Sequence, residues 1–253
     1  MGRGGSDYSA ALLGEALDAT QVSIWTDVAG IYTTDPRITS HAKQIQQISF
    51  SEASEMATFG AKVLHPATLL PAVRAKIPVF VGASHSPELN GTQIQAKVAK
   101  APHYRALAVR RSQTLLTLHS LEMVHSCGFL ANVFAILAKH KLSVDLITTS
   151  EVSVSLTLDN TAATMSEGTL LNEAVLAELS AVCRVEVESD LALVALIGND
   201  LKKQGATAPV FSALSPFALK MICYGASAHN LCVLVEQNIV EDLIQQLHVA
   251  LFE

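Results

Sequence analysis

Apolar residues recur at helical spacing near the start of the chain. Ala10, Leu13, Ala16 and Leu17 share one face of a segment running from Ser9 to Ala19, and Ser6 and Asp7 stand where caps are needed. Val22-Ser23-Ile24-Trp25 alternates as a strand does, and Thr26 to Arg37 reads as a loop with turn chemistry at Gly30 and Asp35-Pro36. Helical spacing returns near Ser51 to Phe59 and Leu64 to Arg74, followed by the strand Pro78-Val79-Phe80-Val81. Helix, strand, helices and strand in that order predict a layered α/β unit. The stretch Ser84 to His103 carries Pro87, Asn90-Gly91 and Pro102, and marks the expected domain boundary.

Beyond it the pattern repeats. Residues 133–159 laid over residues 210–236 without a gap match Val133-Phe134 to Val210-Phe211, Leu137 to Leu214, and Val154-Ser155-Leu156 to Leu231-Cys232-Val233. Each copy reads helix, strand, turn, strand. A strand precedes each (Thr114 to His119; Leu191 to Ile197) and an amphipathic helix follows (Leu170 to Leu179; Ile239 to Leu251). The strand Cys183 to Val187 closes the first copy, giving the β-α-β-β-α-β order of a ferredoxin-like module. The second copy lacks its last strand. Leu107-Ala108-Val109 is the expected donor, which would interlock the two.

Composition narrows the class. The 253 residues are 50% apolar and 16% charged, with a net charge of −6, which argues against extended disorder. The longest apolar run, Leu191 to Ile197, is far short of the ~20 residues that cross a bilayer, so no membrane role is expected. The 17 basic residues are scattered, without the stripe that nucleic-acid binding requires. Cys127, Cys183, Cys223 and Cys232 form no metal-ligand pair and read as reduced core residues of a cytoplasmic protein; no metal site is expected.

Two segments suit anion chemistry. Gly2-Arg3-Gly4-Gly5-Ser6-Asp7 opens a helix, where free backbone N–H groups and the Arg3 fork favour a carboxylate or phosphate; a glycine-rich helix entry with a surface arginine is the plainer alternative. No strand precedes this loop, which suggests that the chain begins inside a domain. Thr26-Asp27 ends a strand, and Tyr32 and Arg37 follow in the loop, where ligands of open α/β sheets gather; an ordinary surface turn is the alternative. Lys62 suits phosphate, or solvent.

These segments, with Gly30-Ile31-Tyr32-Thr33-Thr34-Asp35-Pro36-Arg37 and Phe59-Gly60-Ala61-Lys62-Val63-Leu64-His65-Pro66, closely resemble the second half of the aspartate kinase catalytic domain. The tandem repeats resemble that family's paired ACT regulatory modules. His125-Ser126-Cys127-Gly128-Phe129-Leu130 and Val144-Asp145-Leu146-Ile147-Thr148-Thr149-Ser150-Glu151 resemble its lysine-sensitive branch. The fold class implied is α/β, a partial amino-acid-kinase sandwich over 1–97, then a connection over 98–106 and α+β tandem ACT modules over 107–253.

The resemblance implies phosphorylation of the side-chain carboxylate of L-aspartate by ATP, with Mg as its counter-ion, in lysine biosynthesis. By motif, Arg3 binds aspartate, Gly4, Gly5 and Ser6 line its pocket, and Asp7 orients a catalytic lysine. Thr26, Asp27, Tyr32, Arg37 and Lys62 hold the nucleotide. The family's Lys-Phe-Gly-Gly-Thr-Ser segment, whose lysine faces the transferring phosphoryl group, does not occur in this sequence, so the chain alone is expected to be inactive. Residues 1–95 are expected to expose a sheet edge and apolar surface.

The regulatory half offers an inventory for lysine. N–H groups behind Gly128 suit a carboxylate, and Asp145 and Glu151 suit two ammonium groups, although solvated strand-end charges are the plainer reading. The overlay places Ile222 and Ala228 where the first repeat has Asp145 and Glu151, so only the first is expected to bind. The resemblance adds Met123, Ser126, Phe129, Leu130, Val144 and Ser150 to the pocket, although Leu130 and Val144 also fit the core. It further implies a homodimer through the ACT modules. A stand-alone amino-acid-binding regulatory subunit is the alternative function, and threonine the alternative effector.

Overall fold

The computed structural model describes residues 5–60, 66–88, 90–99, 101–124, 127–159 and 171–253. Its first part runs α1 (Gly5–Ala16), β1 (Val22–Thr26), β2 (Gln47–Ser49), α2 (Phe50–Thr58), α3 (Pro66–Ala75), β3 (Val79–Ala83) and β4 (Thr92–Gln95). The sheet order is β1-β3-β4-β2, with β1 parallel to β3, β3 antiparallel to β4, and β4 parallel to β2. In β1, Val22 and Ile24 are buried while Ser23 and Trp25 are exposed, so one face of this strand is covered. At α2, Ser49 takes the N–H of Glu52 and the Glu52 carboxylate takes the N–H of Ser49, a reciprocal cap that fixes where the helix starts. Arg74 of α3 pairs with Glu15 of α1. Strand β1 is a sheet edge among the described residues, and Leu13, Leu17 and Leu70 lie more than half exposed beside it, as the reading of residues 1–95 anticipates.

The second part runs β5 (Tyr104–His119), α4 (Phe129–Lys139), β6 (Ile147–Thr149), β7 (Ser153–Asp159), α5 (Glu173–Ser180), β8 (Arg184–Gly198), α6 (Ala208–Leu214), β9 (Met221–Tyr224), β10 (Asn230–Glu236) and α7 (Val240–Phe252). These strands form one antiparallel sheet in the order β6-β7-β5-β8-β10-β9. Leu107, Ala108 and Val109 pair with Leu196, Ala195 and Val194, so the first copy lends the second its missing strand. Thr117 and Leu118 pair with Glu186 and Val185, the first copy's own closing strand. The interlock is therefore a one-way loan carried along the continuous strands β5 and β8.

Four expectations need correction. The separate strands on either side of 110–113 and of 188–191 are continuous: β5 and β8 each run through, with register shifts between Arg110 and Leu115 and left-handed residues at Ser112 and Asp190 (φ 58° each). Local pattern breaks at these bends, but the partner strand carries the ladder across. Strands β2 and β4 escape the sequence pattern because they are only 3 and 4 residues long. Strand β5 begins at Tyr104, inside the expected connection. Finally, Cys127 is exposed and Cys183 and Cys223 are half-buried, leaving Cys232 as the core thiol; Cys127 stands beside Gly128 in a surface turn.

Both faces of the long strands are covered in the second module, over Leu191 to Gly198 of β8, whereas Arg184 to Asp190 are largely exposed. Leu107, Val194 and Leu196 face the helices, packing with Val210, Leu243 and Leu247 of α6 and α7. Ala106, Ala108, Leu193 and Ala195 belong to the core that holds Phe50, Met56 and Phe59 from α2 and its end. Covering on both faces explains why Leu191 to Ile197 is apolar without alternation. Leu116, Val133, Leu137, Leu156 and Leu179 make the separate core of the first module.

Candidate functional site

Gly5, Ser6 and Asp7 form the first turn of α1, with Ser6 Oγ donating to Asp7 Oδ1 at 3.2 Å and Ser9 Oγ donating to the Gly5 carbonyl. Arg3, Gly4, Lys62 and Ser126 lie outside the described residues. The helix N-terminus and the acidic Asp7 beside it agree in electrostatic sense.

Thr26 closes β1, and its hydroxyl donates to Asp27 Oδ1 at 2.9 Å. Ser84, just beyond β3, donates its backbone N–H to the Thr26 carbonyl at 2.8 Å. The loops leaving two parallel strands therefore adjoin at their carboxyl ends, the place where open α/β sheets bind ligands. The loop from Gly30 to Ile45 is pinned at its neck. Thr92 on β4, fully buried, takes the Ile31 N–H at 2.8 Å and donates to the Ile45 carbonyl at 2.6 Å. Gly30 has φ 130°, and a Cβ there would stand 2.6 Å from Thr92 Oγ1, so this position needs glycine. Tyr32 bridges to Gln44 across the loop. At the tip, Arg37 forks onto Asp35 with contacts of 2.6–3.1 Å. Hydrogen bonding to Asp35 and its charge, with a lesser contribution from Asp27, push the Arg37 guanidinium above its ordinary range. Asp27 and Arg37 thus lie within electrostatic reach, on an exposed tip.

In the first module, Gly128 precedes α4 with φ 95° and no side-chain cap, and among the described residues no atom beyond its chain neighbours lies within 4 Å of where its Cβ would be. The first N–H groups of α4 lack intrahelical acceptors, as at any helix N-terminus. Met123, Phe129 and Val144 are half-buried against the same module core, while Leu130 is 38% exposed, so of the two core candidates only Val144 packs inward. Ser150 is engaged in a turn: its hydroxyl lies 2.7 Å from Ser153 Oγ and accepts the N–H groups of Val152 and Ser153. Asp145 and Glu151 stand at opposite ends of β6. Asp145 carries a partner that sequence reasoning missed, for Arg110 Nη1 donates to its Oδ2 at 2.6 Å. The same guanidinium donates to the Thr58 carbonyl at the end of α2, so one side chain joins the first module to the first part of the chain.

The other joints fall on the second module. Glu52 of α2 is fully buried, pairs with Arg105 at 2.6 Å and accepts from Asn199 at 2.7 Å. Burial would raise the Glu52 carboxyl, but the Arg105, Ser49 and Asn199 hydrogen bonds outweigh it and hold the group below its ordinary range. Glu55 accepts from Ser227 and Asn230 at 3.0 and 2.8 Å. No motif announces these residues, since their partners lie 53 to 175 positions away.

Comparison with known proteins agrees with this layout. The amino acid kinase family model matches residues 1–83, and an ACT domain model matches residues 194–251. Lysine-sensitive aspartokinase 3 of Escherichia coli is 66% identical over 254 residues, covering 100% of this chain and 57% of its own length. The chain belongs to the aspartokinase family. A chloroplastic aspartokinase 3 of Arabidopsis thaliana is 36% identical, over 100% of this chain and 46% of its own. Among solved structures, E. coli aspartokinase III in complex with aspartate and ADP (R-state) superposes with a TM-score of 0.91 at 66% identity, over 100% of this chain and 57% of that one. The same enzyme in complex with lysine and aspartate (T-state) gives 0.87 at 65%, over 100% and 56%. The chain thus spans about half the length of these aspartokinases, 46–57%.

Proposed function

We propose that this chain is the nucleotide-binding lobe and feedback module of an aspartate kinase that transfers the γ-phosphoryl group of ATP to the L-aspartate side chain, giving ADP and 4-phospho-L-aspartate, and that L-lysine inhibits it. The carrying observation is the pinned loop at the carboxyl ends of β1 and β3, which presents Asp27, Tyr32 and Arg37 together. Arg37 exchanges part of its Asp35 fork for phosphate oxygens, Tyr32 offers a ring face, and Thr26 and Asp27 offer polar groups to the nucleoside. Arg3, Gly4, Gly5 and Ser6 receive aspartate at the start of α1, where backbone N–H groups and the helix dipole favour a carboxylate, and Asp7 orients the lysine that faces the phosphoryl group. Lys62 joins the nucleotide set. The Mg ion is taken to come with ATP, as the counter-ion of its phosphates.

Lysine places its carboxylate at the open Gly128 end of α4 and an ammonium group on Asp145, in a pocket with Met123, Ser126, Phe129, Leu130, Val144 and Ser150. Asp145 and Glu151 flank β6 at opposite ends, with a span of more than about 10 Å from the strand alone at about 3.3 Å per residue. One lysine does not reach both within one chain. A homodimer that sets Glu151 of a second copy beside Asp145 solves this, and the exposed position of Glu151 suits that use. The cytoplasm is the compartment that fits the reaction.

The purified 253-residue chain, assayed for aspartyl phosphate as its hydroxamate, is expected to show no turnover, and the full-length enzyme carrying it to show lysine-inhibited turnover. Turnover by the chain alone, or none by the full-length enzyme, contradicts the reading.

A further inference from the structure

The second repeat lacks the charges that suit an effector, yet it makes contacts that the first does not. Its last helix, α7, buries Val240, Leu243, Ile244 and Leu247 in its own module core. The next turn carries His248, fully buried, against the first part of the chain. His248 Nε2 lies 2.9 Å from Thr33 Oγ1. Thr33 Oγ1 accepts the Lys43 N–H at 2.9 Å, and the Thr33 carbonyl accepts the Leu107 N–H at 2.7 Å. The Thr33 hydroxyl thus ties the loop backbone to the His248 ring, to which it can donate or from which it can accept. Nδ1 is buried without a hydrogen-bond partner among the described residues, and Phe252 stacks on the ring at 4.9 Å.

More contacts follow along the same loop. Gln245 Nε2 donates to the Ile38 carbonyl at 3.1 Å, Lys43 Nζ donates to the Phe252 carbonyl at 2.6 Å, and His41 Nδ1 meets Glu253 Oε1 at 2.6 Å. Lys43 thereby sits at the negative end of the helix dipole. Thr33 precedes Arg37 and Ile38, His41 and Lys43 follow it, so α7 grips the loop on both sides of its exposed tip. The first repeat spends the equivalent helix on itself, with Glu178 of α5 pairing with Lys139 and His140 at the end of α4.

We infer that α7 positions the nucleotide loop, and that His248 is the positioning residue, acting through Thr33 on the placement of Tyr32 and Arg37. This rests on the reading that Tyr32 and Arg37 hold the nucleotide. Protonation would place a charge on a ring that the fold buries. Burial lowers the His248 pKa, the Glu253 carboxylate opposes this, and Lys43 and His41 add to the lowering. A lowered folded-state value means that docking is undisturbed above about pH 6.5 and is penalised as the pH falls below it.

The test uses the full-length enzyme and compares the KM for ATP with that for aspartate between pH 5.5 and 8. In the parent enzyme the KM for ATP is expected to rise as pH falls below 6.5, with the KM for aspartate flat. His248→Leu should raise the KM for ATP about fivefold above pH 6.5, the size of one lost internal hydrogen bond, and remove its rise at lower pH. His248→Gln keeps a polar atom near Nε2 without titrating, and should restore the affinity and flatten the pH profile. Variants that leave the KM for ATP unchanged, or that depress kcat and both affinities together, overturn the inference. Arg37→Ala runs beside them: its loss of nucleotide affinity with His248→Leu silent defeats the positioning role alone, whereas an unchanged affinity in Arg37→Ala defeats the loop reading and the inference with it.

Discussion

The two repeats share one architecture and are interlocked by a lent strand, but they spend their surfaces differently. The first keeps a left-handed Gly128 before α4 and acidic residues at both ends of β6, and its contact with the first part of the chain is carried by Arg110. The second has Ile222 and Ala228 at the matching positions, and it carries the Glu52–Arg105–Asn199 cluster, the Glu55 contacts and the α7 clamp. The repeats thus divide: the first keeps the positions proposed for a ligand, and the second holds the first part of the chain. Arg110 stands between them, on the bend of β5 where one module passes into the other.

The largest break in that contrast comes from Glu52→Gln, which leaves Arg105 with a weakened partner in a buried place. A loss of about 3 kcal/mol is expected in urea unfolding. Glu178→Gln, in the first module's solvated cluster, should leave the midpoint within error. The sign with pH follows from the lowered Glu52 pKa: its contribution is full above 4.5, the ordinary value, and drains away as pH falls below that toward the folded-state value. Unfolding midpoints between pH 3 and 6 that track together in the parent and in Glu52→Gln would remove Glu52 from the account.

Next in size, Asp145→Ala should weaken lysine binding by roughly tenfold or more, the cost of one charge-assisted hydrogen bond, while leaving the fold's circular dichroism intact. Ser49→Ala removes the reciprocal cap of α2 and should cost about 1 kcal/mol in the same unfolding assay. The smallest effect concerns the cation already on Asp145. Lysine must displace or share with Arg110, so Arg110→Gln is expected to tighten lysine binding by about threefold, the worth of a modest ion pair, and to loosen the joint to α2. Weaker binding in that variant would make Arg110 a part of the pocket and not a competitor for it.

Much of this was legible in the residues. Helical and alternating periodicities locate α1, α2, α4 and α7, and the gapless overlay reveals the repeat and its strand donor, because each depends on local spacing. The loop from Thr26 to Arg37 is likewise announced by its turn residues. What escaped depends on distance in sequence. β2 and β4 are short strands whose pairing comes from their neighbours, and Arg110 finds Asp145, Arg105 finds Glu52 and Thr33 finds His248 only once the sheets are assembled. One signal was present: His248 follows Ile244 by a helical turn on the apolar face of α7, a place where a polar ring needs a partner.

The division of labour between the repeats is tested most directly by a calorimetric titration of L-lysine into the purified chain. One lysine per chain is predicted, lost in Asp145→Ala and unaffected by substitution at Ile222. Two lysines per chain, or a single site indifferent to Asp145, would contradict it.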